Sequence, residues 1–304
     1  MKHSVETIHY LKEIADHHPH SVVVFGDDGE KFGAWPGTYD HVYRDGWLRK
    51  FLDLLRQNSD WLKVTTLSES VDTVSPLGSC YLPDASYREM NEWALSSERQ
   101  LELAELKEKF AEAEGFDRLK PYLRGGFWRN FRVKYAELNE MYTRMLQVSN
   151  RLQSLEETGV DAEDLPALHE ARTELYRAQC NCPYWHGAFG GLYLPHLRNA
   201  IYKHLISADT LLEKITHRDA NWLAVEVGDF NLDARKEIRM ASNRLVCYLA
   251  PAQGGHLYEL DVRGAKHNLL ATLDRRPEPY HDIIRQAAIE QQQGSQNGED
   301  IGKI

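Results

Sequence analysis

The spacing of apolar residues constrains this chain most, because it changes twice along the sequence and each pattern implies a different architecture. In roughly the first 75 residues, apolar positions recur at helical steps over 4–18 and on one face of 40–57. Two short apolar runs, 21–25 and 61–67, have the length and the β-branched content of buried strands. The order helix, strand, helix, strand is typical of a parallel sheet or barrel, so we predict α/β architecture here.

The middle of the chain, from about residue 86 to residue 216, is almost entirely helical in pattern. Seven apolar residues step by three or four and form one long stripe: Tyr135, Leu138, Met141, Met145, Val148, Leu152 and Leu155. A helical bundle buries such a stripe. Further helices are predicted at 88–113, 166–178 and 195–215, and the stretch between the last two is rich in aromatic residues, glycine and cysteine.

From about residue 219 the apolar period becomes two, which indicates β-strands. Four short strands are predicted, at 222–227, 237–240, 244–249 and 256–262. Turn residues such as Gly254-Gly255 separate them, which is typical of an antiparallel sheet. A helix is predicted at 279–292, and a polar, glutamine-rich tail follows it.

Neither β-containing portion is large enough to close. Two strands cannot complete a barrel, and four or five cannot complete a two-sheet sandwich, so both would leave unpaired edges. We therefore expect a segment of a larger protein, open at both ends. The predicted domains are 1–85, the C-terminal part of an α/β barrel; 86–217, a helical domain; and 218–304, the beginning of a β domain.

Composition excludes several classes of function. Lys and Arg total 36 and Asp and Glu total 46, which gives a net charge of −10 and disfavours non-specific binding to nucleic acid. No apolar run approaches the roughly 18 residues that span a bilayer, so we expect no membrane contact. Four cysteines are too few for a disulfide scaffold in a chain of 304 residues. Reduced thiols in the cytoplasm are the simpler interpretation.

The strongest candidate site follows the first predicted strand, in the sequence GDDGEKFGAWPGTY at 26–39. Asp27, Asp28 and Glu30 are carboxylates beside Trp35, and ligands bind at the carboxyl ends of strands in α/β folds. A carboxylic acid can protonate a glycosidic oxygen, and an indole can stack on a pyranose ring. The alternatives are a solvated acidic turn or a Mg²⁺ or Ca²⁺ site, although the acid spacing is not that of a calcium loop.

A second candidate is the aromatic stretch 178–196. Cys180 and Cys182 are separated by one residue and no second pair accompanies them, which argues against zinc. Tyr184, Trp185 and His186 offer stacking surfaces and hydrogen bonds that suit a carbohydrate subsite. The alternatives are a packed loop between helices, or a cysteine nucleophile activated by His186.

A third stretch, 123–135, interleaves basic and aromatic residues, as single-strand nucleic-acid binders do. It is short and the chain is acidic, so the start of a helix with extended arginine side chains is the preferred interpretation.

These motifs together resemble glycoside hydrolase family 57, in its α-amylase and 4-α-glucanotransferase branch. The residues at 26–39, followed by 46–49, resemble the fourth conserved region of the family, and AQCNCPYWHG at 178–187 resembles the fifth. Further similar segments are 76–83, 92–95, 124–130, 250–261 and 268–278.

The resemblance implies an incomplete (β/α)₇ barrel, a helical segment and a β-sandwich. It also implies retaining cleavage of α-1,4-glucans or maltooligosaccharides through a covalent intermediate, with no cofactor and no metal. Position by position, Asp28 matches the general acid/base. The residues expected to line the substrate are Asp27, Glu30, Trp35, Asn181, Tyr184, Trp185 and His186. Cys182 stands where some glucanotransferases carry Asp, which leaves specificity within the family open.

The family's nucleophile has no match in this sequence. It belongs to a Trp-Leu-x-Glu strand upstream of the fourth region, and the only similar string here, at 61–64, lacks Glu. Retaining chemistry needs two carboxyls roughly 5–5.5 Å apart. We therefore expect the chain to be inactive alone. The alternatives are one half of a split enzyme, completed in trans by an N-terminal half, or a non-catalytic glucan-binding protein.

Overall fold

A computed structural model describes residues 4–83, 85–185 and 190–296. The chain divides into two compact units, the first ending at Leu82 and the second beginning at Pro83. No helix within the described ranges combines the length and the apolar character needed to cross a bilayer.

The first unit is built from helices and extended segments. Helix α1 spans Ser4–His17, α2 spans Trp47–Gln57 and α3 spans Leu67–Thr73. The single helix predicted at 40–57 is wrong, because a π-helical turn at Asp40–Arg44 is separated from α2 by Gly46. Gly46 has a φ of 71°, which glycine adopts readily and which a continuing helix cannot contain.

The two strands predicted in the first unit are also wrong. Residues 21–25 and 61–67 join no sheet among the described residues, and Thr66 instead caps α3 by accepting a hydrogen bond from the Glu69 N–H. The side chains of the run Val22–Phe25 are 46 to 65% exposed. A strand requires a neighbour to satisfy its backbone groups, and the described residues supply none. The barrel therefore remains a prediction.

The second unit begins with a helical core. Its helices are α4 (Arg88–Trp93), α5 (Ser97–Lys109), α6 (Phe116–Leu119), α7 (Trp128–Lys134), α8 (Ala136–Thr158), α9 (Leu165–Ala178) and α10 (Pro195–Thr216). The apolar stripe of α8 is buried as predicted, with Leu138, Met141 and Val148 inaccessible to solvent or nearly so. The predicted helix 88–113 is broken instead, because the Ser96 hydroxyl caps a new helix by accepting from the Arg99 N–H.

A five-stranded antiparallel sheet follows, in the simple order β1-β2-β3-β4-β5. Its strands are β1 (Leu223–Gly228), β2 (Glu237–Ser242), β3 (Leu245–Ala250), β4 (His256–Val262) and β5 (His267–Asn268). The four predicted strands are confirmed, and a fifth short strand pairs with β4. Within the described ranges this is one layer, so the β-sandwich remains a prediction. Helix α11 (Pro279–Gln296) closes the described chain.

Buried ion pairs join the sheet to the helices. Asp209 of α10 forms ion pairs with Arg144 of α8, at 3.1 Å, and with Arg263, which follows β4, at 2.9 Å. Arg144 also reaches Glu259 of β4 at 2.9 Å, and Arg239 of β2 pairs with α10 as well. We call this group the ionic seam. Because its members are shielded from water, removing one partner leaves an uncompensated charge, which costs about 3–5 kcal/mol.

Candidate functional site

The acidic loop of the first unit forms a compact arrangement around Lys31. A 3₁₀ turn at Gly29–Lys31 brings the Lys31 Nζ to 2.5 Å from Asp27 Oδ1, which also accepts a hydrogen bond from the Asp28 N–H at 2.8 Å. The hydrogen bond from Lys31, then that from Asp28, hold the pKa of Asp27 below its usual value. Asp27 is therefore held as a carboxylate.

Asp28 and Trp35 both lie near the ammonium group of Lys31. The Asp28 side chain is 62% exposed, and its Oδ2 is 3.5 Å from Lys31 Nζ. The same ammonium group lies 5.6 Å from the centre of the Trp35 ring. The Glu30 carbonyl accepts hydrogen bonds from the N–H groups of Ala34 and Trp35, which folds the loop back. Asp27, Asp28 and Trp35 are thus brought together as one group.

Lys31 was missed by the sequence reasoning. Its spacing of four from Asp27 and three from Asp28 is the signal that could have identified it, since such spacings bring side chains together on a turn of helix. Glu30 is exposed. The one acid group with metal-like spacing in the described ranges lies elsewhere, at Asp161, Glu163 and Asp164, where Arg218 already pairs with the carboxylates.

The second loop, which follows α9, holds Trp185 in a defined orientation. The Trp185 ring stacks on Trp93 of α4, with centroids 5.2 Å apart and planes 12° apart. Its Nε1–H donates to Asn181 Oδ1 at 3.0 Å. Asn181 and Trp185, both predicted site residues, are therefore in contact. Trp93 was missed, because a stacking contact between distant residues leaves no periodic signal in the sequence.

Tyr184 faces the protein interior. Its hydroxyl donates to the Ala178 carbonyl at 2.8 Å, and its own carbonyl accepts from Trp128 Nε1 at 2.8 Å. Burial raises the pKa of Tyr184, so the hydroxyl stays protonated. The arrangement supports the packed-loop alternative for this side chain, and its substrate-binding role stays a prediction.

The other candidate residues of this loop are His186 and the two cysteines. His186 lies outside the described residues. Cys180 and Cys182 are exposed, and no disulfide joins any of the four cysteines, all of which lie in the described ranges.

The segment that ends this loop, Gly191–Tyr193, packs closely against the backbone of Trp185. The Leu192 N–H donates to the Trp185 carbonyl at 2.7 Å, and a side chain at Gly191 would meet that same carbonyl oxygen at 2.1 Å. Tyr193 then anchors the loop, since its hydroxyl donates to the buried carboxylate of Glu278 at 2.5 Å. Glu278 was another residue that the sequence reasoning missed.

Three family models match successive parts of the chain. Residues 3–83 match glycosyl hydrolase family 57. Residues 126–212 match the middle domain, and residues 229–303 the C-terminal domain, of the α-amylase/4-α-glucanotransferase group.

Similar proteins agree with these matches. The chain is 42% identical over 287 residues to α-amylase 1 of Dictyoglomus thermophilum, covering 94% of this chain and 40% of the relative. It is 38% identical over 278 residues to the 4-α-glucanotransferase of Thermococcus litoralis, covering 91% and 39%. The crystal structure of the Thermococcus litoralis 4-α-glucanotransferase superposes with a TM-score of 0.64, covering 92% of this chain and 41% of that one. The chain thus spans about 40% of the length of the curated relatives it matches.

Proposed function

Because the chain belongs to glycosyl hydrolase family 57, we propose that it forms part of a retaining α-glucan-active enzyme of the α-amylase or 4-α-glucanotransferase type. The observation that carries the proposal is the grouping of Asp27, Asp28 and Trp35 around Lys31. One carboxylate is held ionised, its neighbour is open to solvent, and a flat apolar ring lies beside them. Carboxyl groups that can reach a glycosidic oxygen and an aromatic ring that can stack on a pyranose are components of a sugar site.

In this proposal Asp28 is the general acid/base. Its carboxyl protonates the leaving glycosidic oxygen, and its carboxylate later takes a proton from water or from a sugar hydroxyl. Water gives hydrolysis and a sugar hydroxyl gives transfer. Asp27 keeps Lys31 in place, and Trp35 stacks on a pyranose ring. The exposure of Asp28 supports this role, because an acid/base must reach an incoming substrate.

We assign the second loop to substrate binding. Trp185 supplies a stacking surface, and Asn181, Tyr184 and His186 supply the other contacts expected from the fifth conserved region. The fixed ring of Trp185 and its hydrogen bond to Asn181 support this assignment. The substrate is an α-1,4-glucan or a maltooligosaccharide.

The nucleophile is proposed to come from a polypeptide segment beyond these 304 residues, so that the chain by itself does not turn over substrate. Exposed apolar surface in the first unit supports this. The run Val22–Phe25 is exposed, and a groove of about 800 Å³ beside α2 is lined by Leu48, Leu52, Leu55 and Leu62 among others. Such surface fits β-strands that complete a barrel. The cytoplasm is the proposed compartment, which the absence of disulfides supports.

The test is complementation. The N-terminal part of the Thermococcus litoralis 4-α-glucanotransferase, ending before its own fourth conserved region, is co-expressed with this chain and assayed on maltoheptaose. We expect activity only when both parts are present. The variant Asp28→Asn should lower kcat by at least about 10²-fold, since general acid–base catalysis contributes about 10²–10⁴-fold. Asp60→Asn, an exposed acid of the same unit, is the matched control.

Two outcomes would contradict this proposal. Robust turnover by the chain alone, lost in Asp28→Asn, would overturn the external nucleophile. Full activity of the complemented Asp28→Asn variant would remove Asp28 as the acid/base. If glucan binds but no complemented pair ever turns over, the non-catalytic glucan-binding alternative is favoured.

A further inference from the structure

We propose that Trp93 of α4 is a positioning residue for glucan binding, which holds the indole of Trp185 so that its opposite face meets a glucose ring. The proposal rests on the assignment of Trp185 to the substrate. The two rings are nearly parallel, at 12°, with centroids 5.2 Å apart. Trp93 therefore covers one face of Trp185, and only the other face and the ring edges are left for a sugar.

Trp93 can act as a support because its own position is fixed. Met90 and Ala94, in and next to the same helix, are buried in the helical core. The Trp93 carbonyl accepts hydrogen bonds from Gln100 Nε2 and Lys134 Nζ, both at 3.4 Å. Tyr87 packs edge-on against its ring at 5.8 Å. The Trp93 ring therefore packs against the helical core from a helix, whereas Trp185 lies in a loop.

The edge of the Trp185 indole is fixed as well. Its Nε1–H donates to Asn181 Oδ1 at 3.0 Å, and its carbonyl accepts from the Leu192 N–H at 2.7 Å. With one face and one edge held, the ring has little freedom to lose when a sugar binds. An indole fixed in its bound orientation binds more tightly than one that must first be ordered.

The experiment compares maltoheptaose affinity, by calorimetry, in the full chain and in four variants. Trp185→Ala tests the proposed function, and we expect it to abolish binding at this loop. Trp93→Ala should weaken binding about three- to tenfold, the range of a lost aromatic pair. Trp93→Phe should restore most of the affinity, because it restores a stacking face. Trp93→Leu should not, although it refills much of the volume.

A spectroscopic measurement detects the stack without any ligand. Two indoles with centroids 5.2 Å apart couple their electronic transitions, and a skew between the two transition moments within the stack gives a paired positive and negative band in the circular dichroism of the chain. We expect this couplet to disappear in Trp93→Phe and in Trp185→Ala. It should persist in Trp222→Ala, a matched control whose ring stacks instead on His217, with centroids 4.1 Å apart.

The outcomes separate the two claims. If Trp185→Ala binds maltoheptaose as the unsubstituted chain does, or if that chain binds none, the assignment of this loop to substrate is overturned, and the positioning role with it. If Trp185→Ala loses binding but Trp93→Ala does not, the positioning role alone is overturned. Equal rescue by Leu and Phe, or a couplet that survives without Trp93, also overturns the positioning role.

Discussion

The side chain of Glu278 links two parts of the second unit, Tyr135 at the start of α8 and Tyr193 at the end of the Trp185 loop. This carboxylate is 2% exposed and accepts hydrogen bonds from the hydroxyls of Tyr135, at 2.7 Å, and Tyr193, at 2.5 Å. Burial is the main cause that raises the pKa of each tyrosine, and the hydrogen bond to Glu278 raises it further, so both hydroxyls remain donors. Lys134 lies 3.5 Å away and contributes a compensating charge. The return of the Trp185 loop is thereby tied to the segment before α11.

Replacing Glu278 should therefore destabilise the protein measurably. Glu278→Gln weakens two charge-assisted hydrogen bonds and leaves Lys134 without its counter-charge, so we expect a loss of about 1.5–3 kcal/mol. Tyr193→Phe removes one hydrogen bond and should cost about 1 kcal/mol. Thermal unfolding followed by circular dichroism measures both. Glu170→Gln, at an exposed position of α9, is the control, and an equal effect there would contradict the assignment.

How well individual residues could be predicted depended on how far apart their partners lie in the sequence. Asp27, Asp28 and Trp35 come from one short segment, and they do form one group. Trp93 and Glu278 act through contacts made by the fold, which no local pattern encodes. The sequence therefore predicted the side chains proposed to meet a substrate and missed those that hold them.

The apolar period predicted the long helix α8 and the strands β1 to β4 of the second unit, although the helix predicted at 88–113 is divided into α4 and α5. The stripe on α8 was predicted because it buries its apolar face within the second unit. The strands β2 to β4 were predicted as well, and they pair with one another, although the buried faces of β2 and β4 carry the charged residues Arg239, Glu259 and Asp261. The runs 21–25 and 61–67 have strand composition, yet they form no sheet among the described residues. A strand depends on a neighbour for its hydrogen bonds, and composition cannot provide one.

The ionic seam between β4 and the helices makes stability depend on pH. Glu259 and Asp261 of β4 are both buried beside Arg144, whose guanidinium lies 2.9 Å from Glu259 Oε1 and 3.4 Å from Asp261 Oδ2. Burial, together with the neighbouring carboxylate Asp261, raises the pKa of Glu259 well above its usual value, although Arg144 opposes the shift. Burial also raises the pKa of Asp261, against the same arginine. Asp209 is the opposite case, since the arginines around it outweigh its burial and lower its pKa.

Together, these pKa shifts predict that the protein is most stable at intermediate pH and loses stability toward both acid and alkaline pH. A carboxyl whose pKa is higher in the folded protein than in the unfolded chain stabilises the fold while it is protonated. That stability is fully present below the unfolded-state pKa and is lost as the pH rises through the folded-state pKa, at up to about 1.4 kcal/mol per pH unit. Glu259→Gln mimics the protonated form, so we expect its melting temperature to fall less than that of the unsubstituted chain as pH rises. The measurement is thermal unfolding from pH 5 to 9.

Exposed Glu157→Gln serves as the control for this pH series. If Glu259→Gln is at least as sensitive to alkaline pH as the unsubstituted chain, the raised pKa of Glu259 is disproved. The loss of stability at acid pH is expected from Asp209, whose pKa is lower in the folded protein than in the unfolded chain. Its contribution to stability is present above the unfolded-state pKa and is lost as the pH falls toward the folded-state pKa.

For the molecule as a whole, one unusual feature is a continuous run of exposed apolar residues in the first unit. Val22, Val23, Val24 and Phe25 are all exposed, although β-branched and aromatic runs of this kind are normally buried. The chain also spans about 40% of the length of its curated relatives. Both observations support the proposal that the first unit is completed by further polypeptide.

A charge placed in that run should prevent complementation. Val23→Lys inserts an ammonium group where we expect a neighbouring strand, so activity with the N-terminal part of the Thermococcus relative should fall at least about tenfold, the equivalent of 1.4 kcal/mol. Val71→Lys, at an exposed position of α3, is the control and should have no effect. Unchanged complementation by Val23→Lys would show that the run is not the contact surface.

The ionic seam also has a consequence for how the protein is made. On the ribosome, α8 and α10 emerge well before β2 and β4, so Asp209 and Glu213 are synthesised before Arg239 and Arg263. An apolar face that stays exposed during synthesis attracts other unfinished chains. The face of α8 and α10 left exposed during synthesis carries charged groups instead, since Asp209 and Glu213 already have Arg151 of α8 as a partner and stay hydrated until Arg239 and Arg263 follow. We therefore expect the charges that hold the finished sheet on the helices also to lower the tendency of the nascent chain to aggregate.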